Sequence, residues 1–144
     1  MKEQPEERAK VAPPLVCSIP LQAPSMNALY SMYCRGRVPK VELKGEVRLF
    51  KTKLMQLLPR WECPKTGWMA VSLTFQQPWH YQNGKPKRQD MPNLLKVVLD
   101  GLQDRYGFDD SRVAELTCGK VESSHVGIAI RIEALDSALA MALS

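Results

Sequence analysis

Five of the six aspartates in this 144-residue chain lie in one stretch, between Lys85 and Val113. These acids are Asp90, Asp100, Asp104, Asp109 and Asp110, with Lys96 among them and the basic residues Lys85, Lys87 and Arg88 just before them. Two carboxylates about 5 Å apart repel each other by roughly 3 kcal/mol at an effective dielectric constant of about 20, so such a cluster favours a divalent cation or a shared proton. Carboxylates beside positive charge indicate a metal site facing a polyanion, the chemistry of metal-assisted phosphodiester hydrolysis.

The spacing of these residues separates them into groups. On the helix predicted after Asp90, intervals of three and four residues place Asn93, Lys96 and Asp100 on one face. Seven residues at about 1.5 Å each put Asp100 about 10 Å along the axis from Asn93, too far to share one metal ion with Asp90. We therefore expect Asp100 to support the metal ligands from behind, and Asp104 to be exposed to solvent.

Each of these residues also has a simpler interpretation. Asp90 has the position of a helix N-cap, where a carboxylate accepts backbone N–H groups. Asp109 and Asp110 have the character of turn residues before a strand, and Lys96 alone is an ordinary surface lysine. The combination favours a site, because an acid that enters a helix, a lysine within that helix and an acidic pair before the next strand occur together.

Composition indicates one soluble globular domain, since 44% of the residues are hydrophobic and 24% are charged. We expect this domain to span residues 15–144, after a mobile tail of residues 1–14 that is charged and rich in proline. The net charge of +5 is moderate, but nine Lys or Arg against three Glu lie between Arg35 and Lys65. That segment is either a solvated helix face or a nucleic-acid contact.

Several classes of protein are disfavoured. The four cysteines are scattered without a C-x-x-C pair, and the chain has two histidines, so a zinc site or a redox dithiol is not expected. No apolar stretch approaches 18 residues and no secretory signal is present, so we expect a cytoplasmic protein with reduced thiols and no membrane partner.

Hydrophobic periodicity and turn residues predict strand, helix, strand, helix, strand and strand, in that order. Their predicted ranges are 15–21, 41–58, 68–75, 92–105, 112–122 and 126–134. The fold class is therefore α/β of the mixed α+β type, a small mixed β-sheet of about four strands covered by two main helices. The short turn at 123–125 predicts an antiparallel hairpin of the last two strands, residues 78–89 a flexible basic loop, and the last ten residues a short amphipathic helix.

The acidic stretch resembles a known signature. The matching residues are Asp90, Met91, Pro92, Asn93, Leu94, Leu95 and Lys96, then Asp100, then Asp109, Asp110, Ser111 and Val113, together with Pro24, Ser25, Asn27 and Tyr30 nearer the amino end. In order and spacing they are similar to the RusA family of Holliday junction resolvases, the crossover junction endodeoxyribonucleases. The resemblance extends over roughly Cys17 to Ile132.

This resemblance implies a homodimeric, Mg²⁺-dependent endonuclease, with Mn²⁺ as a possible substitute, that cuts four-way DNA junctions in recombination and repair. It implies Asp90 and Asp110 as catalytic metal ligands, Asp109 as a ligand or supporting acid, and Lys96 as a contact to the scissile phosphate. Asn93 and Asp100 are expected behind these ligands. Hard carboxylate oxygens suit Mg²⁺ or Mn²⁺, and no nucleotide cofactor is implied.

One position departs from the family pattern. The family has a second aspartate two residues after the first, where this chain has Pro92, whose side chain cannot ligate a metal. We hypothesise either cleavage with a rearranged site or weak cleavage. A RusA-fold protein that binds branched DNA without cutting it is the main alternative, and a structural protein with a basic surface is a third.

Two groups of basic residues are predicted to contact DNA phosphates. Lys44, Arg48 and Lys51 belong to the predicted basic helix, and Lys85, Lys87 and Arg88 to the loop before Asp90. The aromatic residues Tyr30, Tyr33 and Trp79 have two interpretations, stacking on unpaired bases at the junction centre or packing against the body of the protein.

Overall fold

The structure is a computed structural model that describes residues 13–24, 30–36, 38–43 and 45–135, and only the backbone of residues 30–35 and 38–43. These described residues form six strands and two α-helices. The strands are β1 (Leu15–Ile19), β2 (Tyr30–Arg35), β3 (Val38–Leu43), β4 (Met69–Gln77), β5 (Val113–Glu122) and β6 (Gly127–Ala134), and the helices are α1 (Gly45–Leu57) and α2 (Met91–Tyr106).

The main sheet has the strand order β1-β6-β4-β5. β6 pairs antiparallel with both β1 and β4, whereas β4 and β5 are parallel. α2 connects β4 to β5 and returns the chain to the starting end of the sheet, as parallel neighbours require. The predicted mixed four-strand sheet with two main helices is thus confirmed.

The predicted hairpin of the last two strands is wrong. β5 and β6 lie on opposite sides of β4, so the connection 123–126 crosses the end of that strand. Neighbouring strands are about 4.8 Å apart, and four residues are enough to span two such spacings. The backbone N–H of Ser123 donates to the carbonyl of Gln77 as the chain passes, at 3.1 Å.

The core lies between one face of this sheet and the two helices. Alternate residues of β4 are buried, from Met69 to Gln77, while the residues between them are half-buried. Ile128, Ile130 and Ile132 of β6 extend the same buried face. This period of two follows from the pleat, which points successive side chains to opposite faces.

The helices pack closely against each other at one glycine. α2 buries Val98, Gly101 and Leu102, and α1 buries Leu54 opposite them. A Cβ added at Gly101 would lie 2.8 Å from Leu54 Cδ2, so the lack of a side chain lets the two backbones approach.

Sequence reasoning missed a second sheet and placed the first helix too early. β2 and β3 form a two-stranded antiparallel sheet, in a region predicted to lack regular structure until residue 41. Residues 41–43 belong to β3, and the helix begins at Gly45. Gly36 has φ 68°, the left-handed conformation that suits a tight turn between two strands.

Two predictions fall largely outside the described residues. They are the N-terminal tail, of which only residues 13 and 14 are described, and the C-terminal helix, of which only Leu135 is described. The carbonyl of Pro13 accepts a hydrogen bond from Trp61 Nε1 at 2.9 Å. Among the described helices, none is long and apolar enough to cross a membrane.

Candidate functional site

The entry of α2 places the first acid of the predicted signature. Asp90 is the N-cap residue by its backbone, with φ −77° and ψ 108°, yet its side chain makes no capping hydrogen bond. Pro92 lies in the first turn, where a missing backbone N–H removes no helical hydrogen bond. The simple capping role therefore does not explain the Asp90 carboxylate.

The acidic pair lies in the turn before β5. The carboxylate of Asp109 accepts the backbone N–H of Ser111 at 2.9 Å, and a single 3₁₀ turn, Asp110–Arg112, leads into the strand. The turn interpretation thus holds for Asp109, which keeps one oxygen engaged with the backbone. Both carboxyl groups are exposed to solvent.

The two carboxyl groups also share a hydrogen bond, which changes their affinity for protons. The Ser111 N–H, followed by the hydrogen bond from Asp110, lowers the pKa of Asp109. The hydrogen bond and the charge of Asp109 raise the pKa of Asp110, and repulsion from Asp100 on α2 raises it further. Asp100 is half-buried and contributes its charge from α2, while its predicted role behind the metal ligands stays a prediction.

The helix separates this acidic pair from Asp90. Asp100 follows Asp90 by ten positions along the helix, a rise of about 15 Å at 1.5 Å per residue. Asp110 is close enough to Asp100, in the second half of the helix, for the charge of Asp100 to raise its pKa. Among the described residues, no group of three or more His, Cys, Asp or Glu side chains could hold a metal ion.

The donor atoms at the acidic pair nevertheless fit a hard cation. A hydrogen bond joins the carboxyl groups of Asp109 and Asp110, and a third carboxylate, Asp100, adds negative charge. A divalent cation relieves repulsion between such carboxylates and prefers their oxygens as ligands. The assignment of Asp90, Asp109 and Asp110 as ligands of one metal stays a prediction.

The other residues of the signature lie on the first half of α2. Asn93 is half-buried and Lys96 is exposed, both within two turns of Asp90. Lys96 is one helical turn from Asp100 and six residues from Asp90, so it lies between the two groups of acids along the helix. Its predicted contact to a phosphate stays a prediction.

A polar network that sequence reasoning missed fixes the backbone just before Asp90. Gln77, the buried polar residue at the end of β4, donates from Nε2 to Oε1 of Gln89 at 2.9 Å. Gln89 in turn donates from Nε2 to the carbonyl of Pro24 at 2.6 Å. The side chain of Gln89 thus joins three segments, and the glutamine at the final core position of β4 was the signal in the sequence.

The loop predicted to be flexible is held by hydrogen bonds. His80 and Pro86 form an isolated antiparallel bridge, and Tyr81 N–H donates to the carbonyl of Lys85 at 2.8 Å. Lys87 N–H donates to the carbonyl of Trp79 at 2.6 Å, which closes the loop at its base. The prediction of a flexible loop is therefore wrong.

The carboxyl end of β5 holds this loop from the side. Glu122 Oε2 accepts the backbone N–H of Trp79 at 2.7 Å and lies 3.1 Å from His80 Nδ1. The Trp79 hydrogen bond is the main reason that the pKa of Glu122 is lowered. Lys120 Nζ lies 4.6 Å from the centre of the Trp79 ring and donates to the carbonyl of Gln89 at 2.8 Å.

The predicted DNA contacts have different surroundings. Arg48 is exposed on α1, whereas Lys51 is paired with Asp104 of α2 at 2.6 Å. Asp104 is exposed, as predicted, but it is engaged in this ion pair. Lys44 lies outside the described residues.

The loop lysines and arginine remain open to solvent. Lys85 and Arg88 are exposed and Lys87 is half-buried, with its Nζ 5.7 Å from the centre of the Tyr81 ring.

Trp79 packs instead of presenting its ring to a base. Its side chain is 4% exposed, and its Nε1 donates to the carbonyl of Phe75 at 3.1 Å. Of the two interpretations of Trp79, packing against the body of the protein is the one observed. The side chains of Tyr30 and Tyr33 lie outside the described part of the structure.

Comparison with known proteins identifies the family. The family model of the endodeoxyribonuclease RusA matches residues 32–133, which is 102 of the 144 residues. No curated protein matches the chain in the corresponding search. The match covers β3, both helices, β4 and β5 and nearly all of β6, and so includes every acid of the candidate site. The chain belongs to the RusA family of endodeoxyribonucleases.

Proposed function

We propose that this chain is a divalent-metal-dependent endonuclease that cuts four-way DNA junctions and acts as a homodimer. The observation that carries the proposal is the pair Asp109 and Asp110, whose carboxyl groups are joined by a hydrogen bond near Asp100, in a chain of the RusA family of endodeoxyribonucleases. A pair of this kind fits the binding of Mg²⁺ or Mn²⁺.

Each residue of the candidate site has its own role in the proposed hydrolysis of a phosphodiester. A divalent ion, when bound, supplies a Lewis acid that neutralises charge on the phosphate. Asp109 and Asp110 hold the ion, with Asp90 as a further ligand, and Asp100 sets the charge behind them. Lys96 donates to the phosphate oxygens and stabilises negative charge that develops there.

Both the position of the acids and the symmetry of the substrate support the proposal of a homodimer. Two symmetric cuts in a four-way junction require two active sites related by a two-fold axis. About 15 Å of α2 separates Asp90 from Asp100 and the adjoining pair. We propose that Asp90 of one copy meets Asp109 and Asp110 of the other, which makes each site depend on both chains.

A second function is favoured by Pro92. This residue occupies the position of an expected carboxylate, and a site with one fewer negative charge binds a divalent ion less tightly. A RusA-fold protein that binds branched DNA without cutting it would keep the basic loop and lose only the metal.

A cleavage assay on a labelled four-way junction separates the two functions. We expect cutting in Mg²⁺ and in Mn²⁺, none in EDTA, and none by the Asp110→Asn variant in either metal. The Asp104→Asn variant is the matched control, because Asp104 pairs with Lys51 away from the pair. Binding of the junction without cutting in any metal would establish the second function instead.

The variant Pro92→Asp tests the departure from the family pattern. An aspartate in the first turn of α2 is compatible with the helix, because negative charge is favourable at a helix N-terminus. We expect cleavage at limiting Mg²⁺ to rise by about tenfold, equivalent to roughly 1.4 kcal/mol. An unchanged rate would show that another group already completes the site.

A further inference from the structure

A cleft lies beside the entry of α2, between the loop that follows β4 and the end of β5. It is lined by Trp79, His80, Pro86, Lys87, Lys120 and Glu122. Of these residues, only Lys87 is among the basic residues predicted to contact DNA phosphates, and Lys120 and Glu122 come from the far end of the strand that begins after the acidic pair. The cleft therefore lies at the Asp90 end of the molecule.

The ammonium group of Lys120 is held in place inside this cleft. It donates to the carbonyl of Gln89 at 2.8 Å and lies over the ring of Trp79 at 4.6 Å. An ammonium group has three N–H donors, so the bond to Gln89 leaves two for a ligand. Because Gln89 directly precedes Asp90, this fixed cation stands one residue away from the acid of the signature.

The charge balance of the cleft is positive. Lys87 and Lys120 carry two positive charges, and Glu122 carries the one negative charge among the lining residues. Glu122 Oε2 is occupied by the backbone N–H of Trp79 and by His80 Nδ1. The carboxylate therefore fastens the loop to β5, while both lysines stay available to an anion.

We propose that this cleft binds a phosphodiester group of the DNA strand that runs past Asp90, with Lys120 and Lys87 as its ligands. The proposal rests on the proposed function for the identity of the anion. A lysine acts as a point charge for phosphate, and Lys120 is immobilised before the strand arrives. The adjoining Lys85 and Arg88 extend the positive surface along the same loop.

The experiment measures junction binding in EDTA over a series of salt concentrations, for the wild type, Lys120→Met, Lys120→Arg and Lys65→Met. Loss of one phosphate contact lowers the slope of log K against log salt by about 0.9, and at low salt we expect Lys120→Met to weaken binding by about five- to tenfold. Lys120→Arg keeps the charge and should retain the slope. Lys65→Met is the control, because Lys65 is exposed and lines a different groove.

Thermal unfolding of each variant identifies a merely structural role for Lys120. A folded Lys120→Met protein with an unchanged salt slope would overturn the proposal. A lowered slope for both Lys120→Met and Lys120→Arg would overturn it too, since charge alone should suffice. If Lys120→Met fails to fold, Lys87→Met is measured in the same way, and an unchanged slope there overturns the proposal.

Failure of the proposed function is distinguishable from failure of this inference. If the wild type cuts no junction but its affinity for a four-way junction or duplex DNA depends on Lys120 as described, the proposed phosphate-binding cleft is supported and the proposed nuclease activity is wrong. If the wild type cuts junctions and Lys120→Met leaves the slope of log K against log salt unchanged, the proposed nuclease activity is supported and the phosphate-binding cleft is wrong. A wild type that binds no DNA in either form overturns both.

Discussion

Asp110 is the acid whose surroundings say most about the site. It shares a hydrogen bond with Asp109 and feels the charge of Asp100, and both effects raise its pKa. The residue types and their order were sufficient to predict an acidic site. Sequence reasoning did not predict the hydrogen bond between these two neighbouring carboxyl groups, because that bond depends on the turn that Ser111 closes on Asp109.

Replacing Asp110 by Asn should separate the metal site from the stability of the fold. The variant removes a negative charge from an exposed cluster, so at neutral pH without metal we expect its melting temperature to equal or exceed that of the wild type. Added Mg²⁺ should raise the melting temperature of the wild type and not that of Asp110→Asn, since a ligand stabilises the state that binds it. The control Asp104→Asn should still show the rise in melting temperature with Mg²⁺. If Asp104→Asn loses this rise, the metal site is not specific to the acidic pair and the prediction is wrong.

The pH dependence of this response has a definite sign. The pKa of Asp110 is higher in the folded state than in the unfolded chain, so the folded protein keeps the proton of Asp110 to a higher pH. The stability that this group contributes is therefore present at low pH and is lost as pH rises through the folded pKa. Asp109 has a lowered pKa and contributes stability that is lost only as pH falls through that pKa. Because Mg²⁺ competes with the proton of Asp110, the Mg²⁺-induced rise in melting temperature should fade on acidification before pH reaches the ordinary aspartate range, measured by calorimetry.

Among the elements, α2 was predicted well and β2 and β3 were not predicted at all. The helix has a proline in its first turn, a glycine with φ 71° after its last residue and a continuous apolar face, and these local signals placed its ends within one residue. β3 contains Pro39, which removes a backbone donor and weakens the pattern of a strand. Gly36 was the available signal for the turn between them.

The arrangement of strands could not be read from local pattern. A four-residue connection after β5 is typical of a hairpin, but β5 is already parallel to β4 because α2 carries the chain back. The last strand, β6, then pairs with the other side of β4, and β1 pairs with the free edge of β6. The pairing of strands in the sheet, rather than the length of the connection, therefore determines the position of β6.

The contact between α1 and α2 predicts the effect of a small substitution. Gly101→Ala places a methyl group 2.8 Å from Leu54 Cδ2 in a fully buried environment. Overpacking costs about 1–3 kcal/mol, while alanine gains up to about 1 kcal/mol in helix propensity, so we expect a net loss of about 1 kcal/mol in unfolding free energy by urea denaturation. The control Gly119→Ala, with no atom within 4 Å of its added Cβ, should not show steric destabilisation. A stabilised Gly101→Ala would show that Leu54 yields without cost.

At the scale of the whole molecule, the acids of the signature lie at both ends of one helix. Asp90 precedes α2, whereas Asp109 and Asp110 follow it, with Asp110 close enough to Asp100 for the charge of Asp100 to raise its pKa. The length of α2 was predictable, yet the position of Asp109 and Asp110 depends on how the chain returns to β5. This separation is the basis of the proposed homodimer.

Mixing two inactive variants tests whether each site uses both chains. Asp90→Asn and Asp110→Asn chains, mixed and allowed to exchange subunits, should form dimers in which one site has both acids. Random exchange then restores about a quarter of the wild-type sites, detected as nicking of a labelled junction. Mixtures of either variant with the double variant should stay inactive. An inactive first mixture would mean that each chain completes its own site.

The hydrogen-bonded loop between β4 and α2 has a thermodynamic consequence. Its backbone is tied at Trp79, Tyr81 and Lys87, and its ends are fastened to β5 through Glu122 and Lys120. Fixing a free residue costs about 1–2 kcal/mol of conformational entropy, and here much of that cost is met on folding. Binding of DNA by this loop should therefore proceed with a small entropic penalty, as for a preorganised surface.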